Sequence, residues 1–312
     1  MQALNCLEQG EEWLVPPRFL DKKHYILAPA IKWGVNPKNF SFQTELFGPM
    51  LSVACFDTFE EAIGLVNGLE YGLTSGLQSL DENEQKLWKE KLEAGNLYIN
   101  RGITGAIVNR QPFGGMKNSA FGGGIKAGGP NYCSIFVNIE DKPESKTDYR
   151  RSYALAYQDE FSNARDVNHL YGEQNVFRYI PLKTMALRVF PEDSKEHIEM
   201  IVSAAQICGV KLVISFDPAD DRTSDLSATG CELRKEPLNE FIGRLHTYNR
   251  IRTCSSNIPV SIYKATSLNN IHVVTEPPVK NGRVELIHYF KEQSISFEYH
   301  RYGSILEQPS IG

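Results

Sequence analysis

The sequence predicts an α/β protein, and three features carry that expectation. Short strand-like apolar runs alternate with capped amphipathic helices between residues 51 and 100, the alternation returns from residue 185, and a glycine-dense stretch lies between the two. In the first stretch Leu51–Phe56 (LSVACF) reads as a buried strand. Thr58 opens a capping box with Glu61, and Phe59, Ala62, Ile63 and Val66 recur at helical spacing to make one apolar face that ends at Asn67-Gly68. Leu73–Leu80 reads as a second strand. Asp81 caps a second helix, with Glu84 three residues on and Leu87, Trp88 and Leu92 on its buried side, and Gly95 stands where a C-terminal cap glycine belongs. Leu97–Asn100 is a third strand, and Tyr132–Ile139 (YCSIFVNI) is a further β-rich segment.

The second stretch repeats the pattern. Met185–Phe190 reads as a strand, and Ser194 caps a helix that carries Ile198, Ile201, Val202 and Ala205 on one face and ends at Gly209. Lys211–Phe216 is a buried strand followed at once by Asp217-Pro218. Pro237 fits the first position of a helix with Leu238, Phe241, Ile242, Leu245 and Tyr248 on one side. Pro259–Tyr263 and Ile271–Val274 read as strands and Arg283–Gln293 as a last helix. Strands and helices in this order imply a parallel sheet with crossover helices, a small Rossmann-like domain. Residues 140–165 are rich in charge, Pro and Ser with weak apolar periodicity, so the expected organisation is a region 1–140, a linker 141–165 and a domain 166–312.

Composition narrows the function. The 312 residues suit about two domains. With 41% hydrophobic and 23% charged residues the chain is neither disordered nor collagen-like. Lys and Arg number 33 against 38 Asp and Glu, a balance of −5 that does not favour a nucleic-acid partner. Every apolar run is far shorter than the roughly 18 residues of a membrane span. The first 20 residues have no apolar secretory core, and the six Cys show no CxxC spacing, so a cytoplasmic location with reduced thiols is expected. Cys55, Cys133 and Cys208 read as buried, and Cys6, Cys231 and Cys254 as surface thiols. The seven His are scattered, with no pair at metal-ligand spacing, so no metal is expected. HExxH, GxSxG and P-loop strings are absent from the sequence.

Nine of the 24 glycines fall between Gly102 and Gly129, a density that signals left-handed turns or close backbone approach to a ligand. The surrounding strings are specific. Glu45-Leu46-Phe47-Gly48-Pro49 precedes Tyr71-Gly72-Leu73-Thr74, Ala94-Gly95-Asn96, Thr104-Gly105-Ala106 and Gln111-Pro112-Phe113-Gly114-Gly115. In this order and spacing they resemble the C-terminal third of the aldehyde dehydrogenase superfamily. With Lys126-Ala127-Gly128-Gly129-Pro130 the region is most similar to the branch that oxidises L-glutamate γ-semialdehyde, which includes the long PutA-type proteins. Gly172-Glu173-x-Asn175-x-Phe177-Arg178-Tyr179, Glu292-Gln293-Ser294-Ile295-Ser296 and His300-Arg301-Tyr302-Gly303 resemble the extra C-terminal domain of that PutA type, a non-catalytic Rossmann-like module packed over the catalytic unit.

The resemblance implies roles. Glu45 would accept hydrogen bonds from ribose hydroxyls of NAD, and Phe47 would pack beside that ribose. Backbone N–H groups of Gly105 and Ala106 would hold the carboxylate of the small-molecule substrate L-glutamate γ-semialdehyde, and Phe113 would wall its aliphatic part. Arg110 shares the loop without an assigned role. No residue is expected to be catalytic, because the family's nucleophilic Cys lies in a GQ-x-C context well upstream of ExFGP and no Cys here has that context. The expectation is therefore a C-terminal fragment of an NAD-dependent 1-pyrroline-5-carboxylate dehydrogenase, inactive alone and binding NAD weakly, and a homo-oligomer through the strand at 132–139. The alternative is a non-catalytic assembly or lid subunit that docks on a separate chain. Independent nucleotide binding by the second domain is not expected, because Asp217-Pro218 stands where a glycine-rich phosphate turn is needed.

Overall fold

Strands that alternate apolar side chains with a period of two must cover both faces when they lie inside a parallel sheet, and the second half of the chain does this. The computed structural model describes residues 2–142, 145–222, 230–255, 257–301, 303–308 and 311. Pro143 and Glu144 of the expected linker and Tyr302 of the last motif lie outside the described residues. Two compact units divide at Glu70 and Tyr71.

In the first unit β1 (Glu12–Val15), β2 (Ala30–Trp33) and β3 (Met50–Val53) form a sheet in that order, antiparallel then parallel. Its interior holds an ion pair: Lys32 Nζ lies 3.0 Å from Glu11 Oε2 and also donates to Ser41 Oγ at 2.9 Å and Cys6 O at 3.0 Å. Helix α1 (Phe59–Asn67) forms as expected, with Thr58 accepting from Glu61 N at 3.2 Å. Glu61 returns its bond to Asp57 N rather than to the cap residue itself. The strand at Leu51–Phe56 is not buried: it ends at Val53, it is an edge strand, and Leu51, Cys55 and Phe56 are exposed. On α1 only Ile63 is fully buried.

In the second unit β4 (Thr74–Leu77), α2 (Glu82–Lys91) and β5 (Asn96–Ile99) follow the expected order. Asp81 caps α2 by accepting from Asn83 N at 2.7 Å and Glu84 N at 3.3 Å. Residues expected in the linker instead form α3 (Tyr149–Ala156), capped by Asp148, and a π-turn over Tyr157–Phe161. Tyr149, Tyr153 and Tyr157 are spaced four apart and face the core, so the apolar stripe is aromatic and was masked by the charges around it.

A five-stranded parallel sheet follows. It comprises β7 (Thr184–Arg188), β8 (Lys211–Phe216), β9 (Glu232–Lys235), β10 (Arg250–Arg252) and β11 (His272–Val274), ordered β9-β8-β7-β10-β11. Met185, Leu187, Leu212 and Ile214 face a core under α4 (Lys195–Ile207). Ala186, Val213 and Ile251 face the opposite core, under α5 (Leu238–Gly243) and α6 (Val260–Leu268). This is the expected α/β, Rossmann-like arrangement.

Two assignments change. Pro259–Tyr263 is not a strand: Pro259 stands before α6, and only Ile262 and Thr266 are buried, at the i, i+4 spacing of a helix. Arg283–Gln293 is helical only to Tyr289, and β12 (Phe290–Glu298) begins at the next residue.

β12 joins the two halves of the sequence. It pairs antiparallel with β6 (Glu173–Pro181) along nine residues and parallel with β5, Ser294 opposite Asn96. The resulting sheet, β6-β12-β5-β4, draws strands from both sides of the expected linker. Tyr132–Ile139 is a further correction. Tyr132–Phe136 is a 3₁₀ helix, not an oligomerisation strand, because Ser134 N and Oγ both bond Asn131 O, at 3.0 and 2.7 Å, and close a turn. Cys133 is consequently exposed, while Cys254 is buried rather than at the surface. Cys208 is buried and Cys6 exposed, as expected.

Candidate functional site

The glycine-rich loop leaves β5 and returns beside it, and two close approaches define its path. A Cβ on Gly95 would lie 1.9 Å from Gly114 O, and one on Gly115 would lie 2.4 Å from Ser119 Cβ. Gly95 is thus a packing glycine and not the expected helix cap, since α2 ends at Lys91 with Leu92 as its C-terminal cap. Asn96, the first residue of β5, then ties the returning strand: its Oδ1 accepts from Gly114 N at 3.2 Å and Lys126 Nζ at 2.9 Å, and its Nδ2 donates to Pro112 O at 3.1 Å. Lys126 is fully buried, also donates to Gly114 O, and its ammonium is pushed down to about 7 by desolvation. Phe113 pairs with Ala127, with bonds of 3.0 and 2.9 Å, and is 38% exposed.

The loop's outer segment is held from the other side. Gln111 is buried; its Oε1 accepts from Ile107 N at 2.9 Å while its Nε2 donates to Asn175 Oδ1 at 2.7 Å and Glu173 Oε1 at 2.9 Å. Arg101 Nη1 reaches the same Glu173 oxygen at 2.8 Å. From β12, Ser294 Oγ donates to Pro112 O at 2.7 Å and Ser296 Oγ to Asn175 Oδ1 at 2.6 Å. Arg110 stands 4.0 Å from Glu173. One amide side chain therefore connects the backbone at Ile107, immediately after Gly105 and Ala106, to a strand more than 60 residues later in the chain.

Gly105 has φ +78, and nothing lies within 4 Å of where its Cβ would be, so the backbone is exposed in a conformation that a side chain would resist. Ala106 is half-buried beside it. Gly105 and Ala106 thus share one loop, with Phe113 at its far end. Glu45 and Phe47 share a different loop, in the first unit, after the short helix Phe40–Gln43. Glu45 is exposed, with no side-chain hydrogen bond among the described residues. Phe47 is 93% exposed and sits at φ +47, a left-handed conformation unusual for a bulky residue.

The roles of Gln111, Glu173, Asn175, Ser294 and Ser296 were not assigned from the sequence, although each lies in a quoted motif. Their signal is a density of polar residues inside two otherwise strand-like segments, EQNVFRYIP and FKEQSISFE. Buried strand positions of that kind need partners, and here the loop supplies several of them.

One segment matches a known family: residues 5–141 match the aldehyde dehydrogenase family, as the ExFGP and QPFGG strings indicated. The particular relatives are narrower. A 1-pyrroline-5-carboxylate dehydrogenase of Bacillus licheniformis is 40% identical over 120 residues, 38% of this chain and 23% of that protein. A 1-pyrroline-5-carboxylate dehydrogenase of Oceanobacillus iheyensis is 41% identical over 122 residues, again 38% of this chain and 23% of the relative. The structure of proline utilization A (PutA) from Corynebacterium freiburgense is 38% identical and covers 97% of this chain and 31% of its own, with a TM-score of 0.78. The chain thus spans about a quarter of the length of the curated relatives it matches. The PutA likeness, at 97% of the chain, extends well beyond residues 5–141.

Proposed function

We propose that this chain supplies the substrate-anchoring loop, one end of the cofactor contact and the non-catalytic accessory domain of an NAD-dependent dehydrogenase. Its substrate would be L-glutamate γ-semialdehyde, the open form of 1-pyrroline-5-carboxylate. The observation that carries this reading is the likeness to PutA along 97% of the chain, together with a glycine loop held in a ligand-ready shape by the accessory strands. In it, the N–H groups of Gly105 and Ala106 receive the substrate carboxylate, and Phe113 flanks the methylene chain.

NAD fits the residues present at one end only. The Glu45 carboxylate is exposed and can accept from two ribose hydroxyls, and the exposed Phe47 ring offers a flat apolar neighbour. When bound, NAD takes up the hydride. The chain's thiols do not suit the nucleophile. Burial pushes the Cys208 thiol up and the Cys254 thiol up to about 12, while Cys6, Cys55 and Cys133 are exposed outside the GQ-x-C context. The chain alone therefore produces no NADH. No helix among the described residues is long and apolar enough to cross a membrane. The exposed Ile135, Phe136 and Val137 supply apolar surface for self-association.

Amide spectra of the chain with saturating L-glutamate test the anchor: the Gly105 and Ala106 resonances should move, and unmoved resonances would sink the reading. NADH formation by the chain alone from the semialdehyde and NAD⁺ would overturn the claim of inactivity. The exposed Leu14, Leu20, Ile26, Leu51 and Phe56 of the first unit also suit the second form of this reading, docking on a separate catalytic chain. Recovery of activity on mixing with a chain that carries the GQ-x-C segment would favour it.

A further inference from the structure

We infer that the second unit carries a binding site for a small oxyanion, a carboxylate or phosphate. It lies in a cavity of about 350 Å³ between the loop Gly122–Gly124 and the first residues of β10, β11 and β12. This volume is in the range of small-molecule pockets. Two side chains on its wall, Lys291 and His272, make no hydrogen bond among the described residues, and a third, Arg250, is partly engaged. The half-buried ammonium of Lys291 makes no hydrogen bond or ion pair among the described residues. Arg250 is 5% exposed; its Nη1 donates to His288 O at 2.6 Å and its Nη2 to Gly123 O at 2.8 Å, but its Nε has no acceptor. The imidazole of His272 packs against Gly123 and makes no side-chain hydrogen bond among the described residues. An ammonium and an imidazole without protein partners on one cavity wall leave room for an external acceptor.

The charge balance has the same sign. Lys117 is also on the wall, and Lys183 stands close by. The two carboxylates facing the cavity are already engaged. Glu93 is shared by Lys183 at 2.8 Å and Lys117 at 4.0 Å. Glu292 accepts from Asn131 Nδ2 and from Lys126 N, each at 2.7 Å. Three cations on the wall, Lys117, Arg250 and Lys291, therefore face two committed carboxylates. Lys291 is held below the usual lysine range, first by desolvation and then by the repulsion of Arg250, Lys183 and Lys117, against which Glu93 acts alone. A bound oxyanion would relieve that repulsion and accept from Lys291. A metal cation would worsen it. The loop leaves the space open: Gly122 and Gly124 have φ +62 and +72, with nothing within 4 Å of an added Cβ.

The test is calorimetric titration of the whole chain at low salt with inorganic phosphate and, separately, with succinate. The imidazole of His272 is followed by NMR in parallel. Saturable one-site binding is expected with a dissociation constant below about 1 mM, weakened at least about tenfold by Lys291→Met. The bound anion should also raise the His272 pKa by about one unit. Binding of phosphate only, or of succinate only, assigns the source of the oxyanion, and binding of both marks an unselective site. If Lys291→Met does not fold, Lys117→Met gives the same reading from the opposite wall. Absence of binding by either anion at roughly 10 mM, or affinity unchanged in the folded variant, overturns the site.

Discussion

The two loops proposed to meet substrate and cofactor are built on opposite principles. The loop of Gly105 and Ala106 is tied on both flanks: Asn96 and Lys126 hold Gly114, and Gln111 links Ile107 to Glu173 and Asn175. The loop of Glu45 and Phe47 presents an exposed carboxylate and a 93% exposed ring on a small three-stranded unit. Equally specific strings thus mark one site whose shape this chain determines and one whose shape this chain leaves open. Pre-organisation depends on buried partners and not on the strength of a motif.

The largest expected break is at Gly95. A Cβ there meets Gly114 O, so Gly95→Val should destabilise the second unit by more than about 3 kcal/mol in urea unfolding. An effect under about 1 kcal/mol would mean that the approach is easily relaxed.

Acid should separate the two units next. Burial, followed by Arg250 and Arg252, lowers His272 to about 4, so its folded form stays neutral where an unfolded imidazole begins to protonate near 6.5. The unfolded state binds more protons across that window, so stability is full above pH 6.5 and falls as pH drops towards 4, by about 3 kcal/mol. His288, half-buried, shifts in the same direction. Unfolding of the second unit should show this slope, and His272→Gln should flatten it. A slope unchanged in the variant would place the titration elsewhere.

Gln111→Leu strands the Ile107 N–H and leaves Glu173 to Arg101 and Asn175 to Ser296, so a loss of about 1–3 kcal/mol and faster amide exchange at Ile107 are expected. Retained protection at Ile107 would refute the coupling of loop and accessory strand. The smallest effect is in the first unit. Phe47→Gly relieves a left-handed phenylalanine and loses little buried area, so it should be neutral or stabilising by up to about 1 kcal/mol. A clear loss would reveal a packed ring and weaken the contrast between the loops.

Local chemistry was legible wherever it was self-contained. Thr58, Asp81 and Ser194 cap their helices as their spacing indicates, because a cap and its amides lie within one turn. Lys211–Phe216 is a buried strand as expected, since its composition suits a parallel sheet covered on both faces. Leu51–Phe56 has similar composition and is exposed, because burial depends on what covers a strand and that lies outside the segment. Tyr132–Ile139 turned instead of extending, because a strand needs a ladder partner while Asn131 and Ser134 offered a local alternative.

By itself the sequence determined the α/β alternation, the caps, the glycine-dense loop and the family of residues 5–141, all of which depend on near neighbours or on motif order. Tertiary structure alone decided that the apparent linker is core, that β12 joins β5 to β6, and that Gln111 meets Asn175 across 64 positions. These are pairings between distant segments, and their free energy arises only when both partners leave water together, so neither segment records it alone.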